Sequence, residues 1–266
     1  MKISVITPNF NGERFLERAI RSVQGQAEVG TEVEHILIDG GSRDGSMEIA
    51  RRYAASLARV VSEPDRGPAS AINKGLRMAS GDVLAWLNAD DFYYPGALGR
   101  VAAAMDAHRD KALCFGRCRI VAEDGREIRG AITRFKELFF PFSCQFVIQC
   151  INYVSQPAMF FRRRAFEAAG ALREDMRAAW DYEWILRLWR QGGGVRVPGA
   201  PLAAFCWHEA SISGRHFREQ FREEWEAAAA DAGRFTPQAL LHGGVRAGIV
   251  GIYGLMARAR SRRQCR

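Results

Sequence analysis

Apolar positions in the first hundred residues alternate between two periods, and that alternation sets the expected architecture. Ile3 to Thr7 is a short β-branched run; after the turn-forming Pro8-Asn9-Phe10-Asn11-Gly12, the positions Phe15, Leu16, Ala19, Ile20 and Val23 recur at helical spacing. Val33 to Ile38 repeats the buried-strand pattern, Asp39-Gly40-Gly41-Ser42 interrupts it, and Ile49, Ala50, Tyr53 and Leu57 form the next helical face. Arg59 to Ser62 leads through Glu63-Pro64-Asp65-Arg66-Gly67 to a helix with Pro68 in its first turn, where the missing N–H has no helical partner to lose. Asp82 to Leu87 leads through Asn88-Ala89-Asp90-Asp91 to a helix near Pro95. Four β-α units in succession predict an α/β fold, a mostly parallel sheet with helices on both faces.

Beyond about residue 110 the regime changes. Leu113 to Ala122 reads as one strand, Asp124-Gly125 as a hairpin turn and Arg126 to Arg129 as a short return strand. An apolar amphipathic stretch from Phe135 to Ile151 follows, then a strand at Ala158 to Phe161. A helix beginning near Asp181 carries Trp184, Ile185, Leu188 and Trp189 on its buried face, and a further strand runs near Ala203 to Trp207. The last fifty residues are mostly helical in pattern.

Composition narrows the class. A chain of 266 residues suits one large domain or two small ones, and 48% hydrophobic with 26% charged residues excludes disorder and low complexity. The balance of 38 Lys+Arg against 30 Asp+Glu, +8, favours anionic partners. Only Lys2, Lys74, Lys111 and Lys136 are lysines, so the surplus reads as arginine-biased composition, and no nucleic-acid partner is expected from it. Six cysteines without a C-x-x-C pair imply a reducing, cytoplasmic setting and no structural zinc. The N-terminus enters a strand pattern at once, leaving no signal-peptide core. The longest apolar stretch, Leu138 to Ile151, is broken by Pro141, Gln145 and Gln149 and falls short of the roughly 20 residues a membrane span needs.

A parallel sheet binds its ligand at the carboxyl ends of the strands. Asp39, Asp65 and Asp90 follow the second, third and fourth strands, so one structural repeat brings three carboxylates to one edge, although any single Asp there also suits a turn or a cap.

Six segments in register closely resemble family 2 glycosyltransferases over about residues 2 to 210. They are Ser4-Val5-Ile6-Thr7-Pro8-Asn9-Phe10-Asn11, Ile38 to Ser46, Glu63-Pro64-Asp65-Arg66-Gly67, Trp86-Leu87-Asn88-Ala89-Asp90-Asp91, Gln156 to Arg163 and Asp181 to Leu188. The resemblance implies a GT-A fold and inverting transfer of a sugar from a nucleotide-diphosphate donor, UDP-linked by family frequency, to a glycan or lipid-linked acceptor, with Mn²⁺ or Mg²⁺ as cofactor. It divides the chain into a nucleotide-sugar-binding part (1–111), an acceptor-binding and catalytic-base part of the same domain (112–235) and a helical basic tail (236–266).

By the same resemblance Thr7, Pro8, Asn9 and Asp39 line the nucleoside, and Asp65 and Arg66 stand near the diphosphate, where a guanidinium suits bidentate pairing. Asn88-Ala89-Asp90 occupies the place of the family's D-x-D signature. Asn88 there keeps a hydrogen-bonding carbonyl without the charge, which suits ribose contact, and Asp90 is the expected metal ligand. Asp91 acts either through a water or as a helix cap. Asp181, opening its helix, matches the general base that takes the acceptor proton, kept charged by the helix N-terminus, with Glu183 as the alternative acid. His208, in Trp207-His208-Glu209-Ala210-Ser211-Ile212-Ser213, either completes the metal site or is structural. A degenerate nucleotide-sugar-binding subunit without transferase activity is the competing reading. A dinucleotide oxidoreductase is disfavoured because no G-x-G-x-x-G follows the first strand. From Leu240 to Arg266 an apolar stretch gives way to Arg258, Arg260, Arg262, Arg263 and Arg266, which fits either an interfacial helix on an anionic membrane, at the inner face of the plasma membrane, or a packed helix with a solvated basic end. Phe139, Phe140, Phe142 and Phe146 form either an acceptor or membrane-facing surface or plain core.

Overall fold

A computed structural model describes residues 1–26, 30–209, 211 and 216–264. Ala210, Ile212, Ser213, Cys265 and Arg266 lie outside the described residues, and of Val250 and residues 252–264 only the helical backbone is described. In chain order the elements are β1 (Lys2–Asn9), α1 (Glu13–Gln24), β2 (Glu32–Asp39), α2 (Ser46–Arg52), β3 (Arg59–Ser62), α3 (Pro68–Met78), β4 (Val83–Trp86), β5 (Phe92–Tyr93), α4 (Ala97–Ala107), β6 (Leu113–Phe115) and β7 (Cys118–Val121). After them come α5 (Gly130–Glu137), α6 (Gln145–Cys150), β8 (Met159–Arg162), α7 (Arg163–Ala169), α8 (Trp180–Trp189), β9 (Gly194–Arg196), β10 (Ala203–Cys206), α9 (Phe217–Ala232) and α10 (Pro237–Gln264).

The main sheet has seven strands in the order β3-β2-β1-β4-β8-β6-β9, and only β8 runs against the others. Strands from both sides of residue 111 thus share one sheet. The order turns outward on either side of β1, so the loops after β1, β2, β3 and β4 open at a common edge, which is where ligands bind in such sheets. The buried runs at Ile3–Thr7, Ile36–Asp39 and Val83–Trp86 explain why these strands are central. Helix α3 lies directly on the sheet because Gly75 has no side chain: a Cβ there would stand 2.4 Å from Ile6 Cγ2 and 3.2 Å from Ile38 Cγ1. A smaller sheet, β5-β10-β7, continues beside this edge and supports the segment after β10.

Two sequence expectations need correction. Leu113 to Ala122 is not one strand but two in different sheets, broken at Gly116-Arg117, where a Cβ on Gly116 would overlap the Leu202 side chain. The Asp124-Gly125 turn forms, with Gly125 at φ 84°, but the return strand shrinks to a single bridge between Val121 and Glu127. The hydrophobic pattern also gave no sign of α7 or of β9 at the sheet edge. The four phenylalanines divide: Phe140 is buried and Phe139 half-buried, whereas Phe142 and Phe146 are exposed. Trp180 and Trp184 are core, with the Trp184 indole donating to Gly170 O at 2.8 Å and its ring 4.6 Å from that of Phe161.

Candidate active site

The loops after β1 and β2 are tied into one unit. Asp39 ends β2 fully buried and accepts from Asn9 Nδ2 (2.8 Å), Ser42 Oγ (2.5 Å), Ser62 Oγ (2.7 Å) and the Ser42 and Gly41 amides (3.0 and 3.2 Å). Burial pushes its carboxyl up, but the Ser42, Ser62 and Asn9 hydrogen bonds outweigh burial and hold it below the usual carboxylate range. Cross-capping adds rigidity: Asp44 accepts the Glu13 amide opening α1, while Glu13 accepts the Gly45 amide ahead of α2. Ser42 thereby serves Asp39 rather than a helix. Thr7 is buried within β1, its hydroxyl 2.9 Å from His35 Nε2; burial lowers that imidazole to about 4 and so keeps it neutral. Phe10, in the turn after β1, stands exposed at this edge beside Gly40.

At the end of β4 the acids take separate tasks. Asp90 Oδ2 lies 2.9 Å from His208 Nε2, joining the β4 and β10 exits across 118 residues of sequence. The His208 ring stacks on Phe15 at 5.1 Å. Asp91 is fully buried and caps no helix: it accepts the Cys206 amide at 2.9 Å and Asn88 Nδ2 at 3.1 Å. Burial, with the Asp90 charge beside it, raises the Asp91 carboxyl well above its ordinary value. Asp91 thus fastens β10 to the β4 loop and sets His208 opposite Asp90. Ala89 packs against the α1–α2 cluster, and Gln156 donates to Trp86 O at 2.7 Å while its Oε1 faces Asn88 Nδ2 at 3.4 Å.

The diphosphate candidates are engaged elsewhere in this structure. Asp65 pairs with Lys74 at 2.8 Å, and the exposed Arg66 reaches Glu174 at 2.6 Å, bridging to the 172–175 segment. Pro8 is half-buried in β1.

Asp181 is the second residue of α8, and its Oδ1 accepts the amide of Tyr182 at 2.8 Å. The helix N-terminus does not dominate it. Burial raises its carboxyl, the Tyr182 amide and Lys136 pull the other way, Glu223 adds to the rise, and the net shift is upward, which corrects the expectation of a fully stabilised anion. The amides ahead of α8 are instead satisfied by Glu223 of α9, which accepts from Arg177, Ala178 and Ala179 at 2.9–3.0 Å. Its neighbour Glu224 is buried, bonded to Asn152 and Gln220, and pushed up to about 7 by burial with Asp181 nearby. Glu183 points away and is held by Arg187 at 2.8 and 3.0 Å. Lys136 connects the two halves: it reaches Ser155 Oγ at 3.5 Å, next to Gln156, and acts electrostatically on both Asp181 and Glu224.

Lys136, Glu223 and Glu224 were missed by the sequence reading. Acids on an amphipathic helix read as a solvated face, and nothing local to Glu223-Glu224 marks them as buried. For a divalent cation, Asp90 and His208 offer one hard oxygen and one imidazole nitrogen at one point. No group of three or more His, Cys, Asp or Glu gathers among the described residues. Two protein ligands suit Mn²⁺ or Mg²⁺ bound jointly with substrate phosphates rather than a closed protein cage.

Similarity to known proteins agrees with this layout. Residues 4–170 match the model for "Glycosyl transferase family 2". An uncharacterised glycosyltransferase of Mycobacterium tuberculosis (strain H37Rv) is 34% identical over 188 residues, 70% of this chain and 68% of the relative. A PGL/p-HBAD biosynthesis glycosyltransferase of the same strain is 30% identical over 185 residues, 67% of each chain. Among solved structures, S. aureus TarS 1-349 in complex with UDP-GlcNAc superposes with a TM-score of 0.70 at 18% identity, covering 91% of this chain and 69% of that one. Against the longer TarS chain the match spans 41% of its length. Mannosyltransferase PcManGT from Pyrobaculum calidifontis, in complex with GDP-Man and Mn2+, superposes with a TM-score of 0.66 at 17% identity, covering 97% and 79%. With its nucleotide-binding type of sheet, the loops gathered at one edge and these matches, the chain belongs to glycosyl transferase family 2 and carries the GT-A fold.

Proposed function

We propose that the protein transfers a hexose from a nucleoside diphosphate donor, UDP-linked in the first instance, to the hydroxyl of a glycan or lipid-linked acceptor with inversion at the anomeric carbon. The observation that carries this reading is the meeting of Asp90 and His208 at 2.9 Å on the same edge as Asn9, Asp39 and Phe10. Phe10 offers an exposed ring for a base, Asn88 a polar contact for the ribose, and Asp39 fixes the loop geometry beneath them. Direct contact of Asp39 with a base N–H requires release of one of its present donors. Arg66 reaches the diphosphate by exchanging its partner Glu174, with Asp65 held beside it by Lys74. A divalent cation held by Asp90 and His208 would supply Lewis-acid stabilisation of the charge that builds on the leaving diphosphate.

Asp181 takes the proton of the acceptor hydroxyl. The freed oxygen forms a bond to the anomeric carbon as the bond to the diphosphate oxygen breaks, and the electron pair leaves with the nucleoside diphosphate. A carboxyl raised by burial, close to Lys136, is better matched to this proton transfer than an ordinary aspartate. A donor panel with a simple glycoside or lipid acceptor, followed by NMR of the product, tests the reading. An inverted product made by the wild type and absent with Asp181→Asn, which retains donor binding, is expected. A retained configuration or undiminished turnover in the variant overturns it. Donor binding without transfer to any acceptor would instead favour the non-catalytic subunit.

A further inference from the structure

Large hydrophobic side chains left in solvent are not spread over this molecule. Among the described residues nine are strongly exposed, and seven of them sit on two segments: Phe135, Leu138, Phe142 and Phe146 around α5–α6, and Phe235, Leu240 and Leu241 at the start of α10. The two segments are neighbours, since Gln149 of α6 accepts from Gln238 and bonds His242 of α10. The first set is spread over the end of α5, the turn after it and the start of α6, and its exposure is high: 66% at Leu138 and 68% at Phe142. Large apolar side chains concentrated on two neighbouring segments point to an interaction surface rather than ordinary surface scatter.

Charge indicates what covers it. Between residues 130 and 159 the only acid is Glu137, and it is turned inward to Arg117 (3.1 Å) and Arg119 (3.7 Å), leaving its side chain 15% exposed while Arg134 stays in solvent. After Asp231 the chain has no acid at all, yet carries seven arginines: Arg234, Arg246, Arg258, Arg260, Arg262, Arg263 and Arg266. Exposed apolar positions on segments whose sequence is rich in arginine and poor in acids complement an anionic lipid surface, where apolar insertion and headgroup attraction add. A water-soluble partner protein has no comparable need for one-sided charge over so long a segment. No described helix is long and apolar enough to cross a membrane.

We propose that the α5–α6 face and α10 dock the protein on an anionic membrane. The docked face includes the helix that carries Lys136, next to Asp181, and so presents the acceptor side of the site to the bilayer.

The test needs neither donor nor acceptor, and its outcome is therefore separate from that of the transferase reading. The full chain is sedimented with vesicles of phosphatidylcholine containing about one-third phosphatidylglycerol, and with phosphatidylcholine alone, at low salt and at about 0.5 M salt. Binding to the anionic vesicles that is lost in neutral ones and weakened by salt is expected. The triple variant Leu138→Ser/Phe142→Ser/Phe146→Ser changes only exposed positions; its partitioning is expected to fall at least about ten-fold with Tm and circular dichroism unchanged. The proposal is overturned by wild-type protein that stays in the supernatant, by a folded triple variant that binds as well as wild type, or by a wild-type dimer in sedimentation velocity that the same variant makes monomeric. The last result assigns the face to a second copy of the chain.

Discussion

Two carboxylates of the proposed site live under opposite conditions. Asp39, on the proposed donor edge, accepts five hydrogen bonds and is held below the ordinary range; Asp181, on the proposed acceptor side, accepts the Tyr182 amide, feels the Glu223 charge and is pushed upward. A carboxylate whose oxygens are fully used organises its surroundings. One with unused lone pairs and a raised proton affinity is poised to take a proton. Burial raises both carboxyls; at Asp39 the Ser42, Ser62 and Asn9 donors outweigh it, whereas at Asp181 burial outweighs the backbone amides.

The largest effect that can break this comparison is Asp181→Asn, expected to lower kcat by about 10²–10⁴-fold while leaving nucleotide affinity near wild type, as measured by steady-state kinetics beside calorimetry. Equal losses in both would make Asp181 structural. The wild-type rate should rise with pH through an apparent pKa above that of a free aspartate, since only the ionised form accepts the proton.

Asp39→Ala should act on stability before chemistry. It leaves buried Asn9 and the Ser42 and Ser62 hydroxyls without their acceptor, a loss of about 1–3 kcal/mol by urea denaturation. The sign with pH follows from the lowered carboxyl: the wild type keeps this contribution above the unfolded aspartate value and loses it as pH falls through the lower folded value. The variant's deficit should therefore shrink in acid.

Glu224→Gln gives the opposite sign. A carboxyl raised to about 7 in the folded state favours folding when protonated, and that contribution disappears as pH rises from the ordinary glutamate range through about 7. The glutamine variant should then gain a few degrees in Tm at pH 8 and little at pH 4, measured by calorimetry. A lower Tm at pH 8 would mean that the ionised group is better compensated than its surroundings imply. The smallest effect belongs to Glu183→Gln, which loosens the Arg187 pair and leaves kcat near wild type. A loss matching that of Asp181→Asn would move the base to Glu183.

Much of the β-α part before residue 111 was legible because its information is local. Short β-branched runs, glycine and proline breaks and helical stripes each occupy about ten residues, and the β-α cycle brings Asn9, Asp39 and Asp90 to one edge by repetition. The meeting of Asp90 with His208 was readable only through motif resemblance, since 118 residues separate them. The part after residue 111 resisted for the converse reason. Leu113 to Val121 keeps a strand pattern throughout, and its division between two sheets depends on Leu202 packing over Gly116, a contact from distant sequence. Likewise Glu223 and Glu224 lie in what reads as an ordinary polar helix, and only the docking of α9 on α8 reveals that one carboxylate holds the amides ahead of α8 while the other interacts electrostatically with Asp181.

The most direct test of the account is calorimetric titration of UDP and GDP into the wild type and Asp90→Ala, each with and without Mn²⁺. Binding of one nucleoside diphosphate that strengthens at least about ten-fold with metal in the wild type, and does not respond to metal in the variant, is the predicted result. Binding that is indifferent to metal, or equal metal dependence in Asp90→Ala, would contradict the assignment of Asp90 and His208 as the place where cation and diphosphate meet.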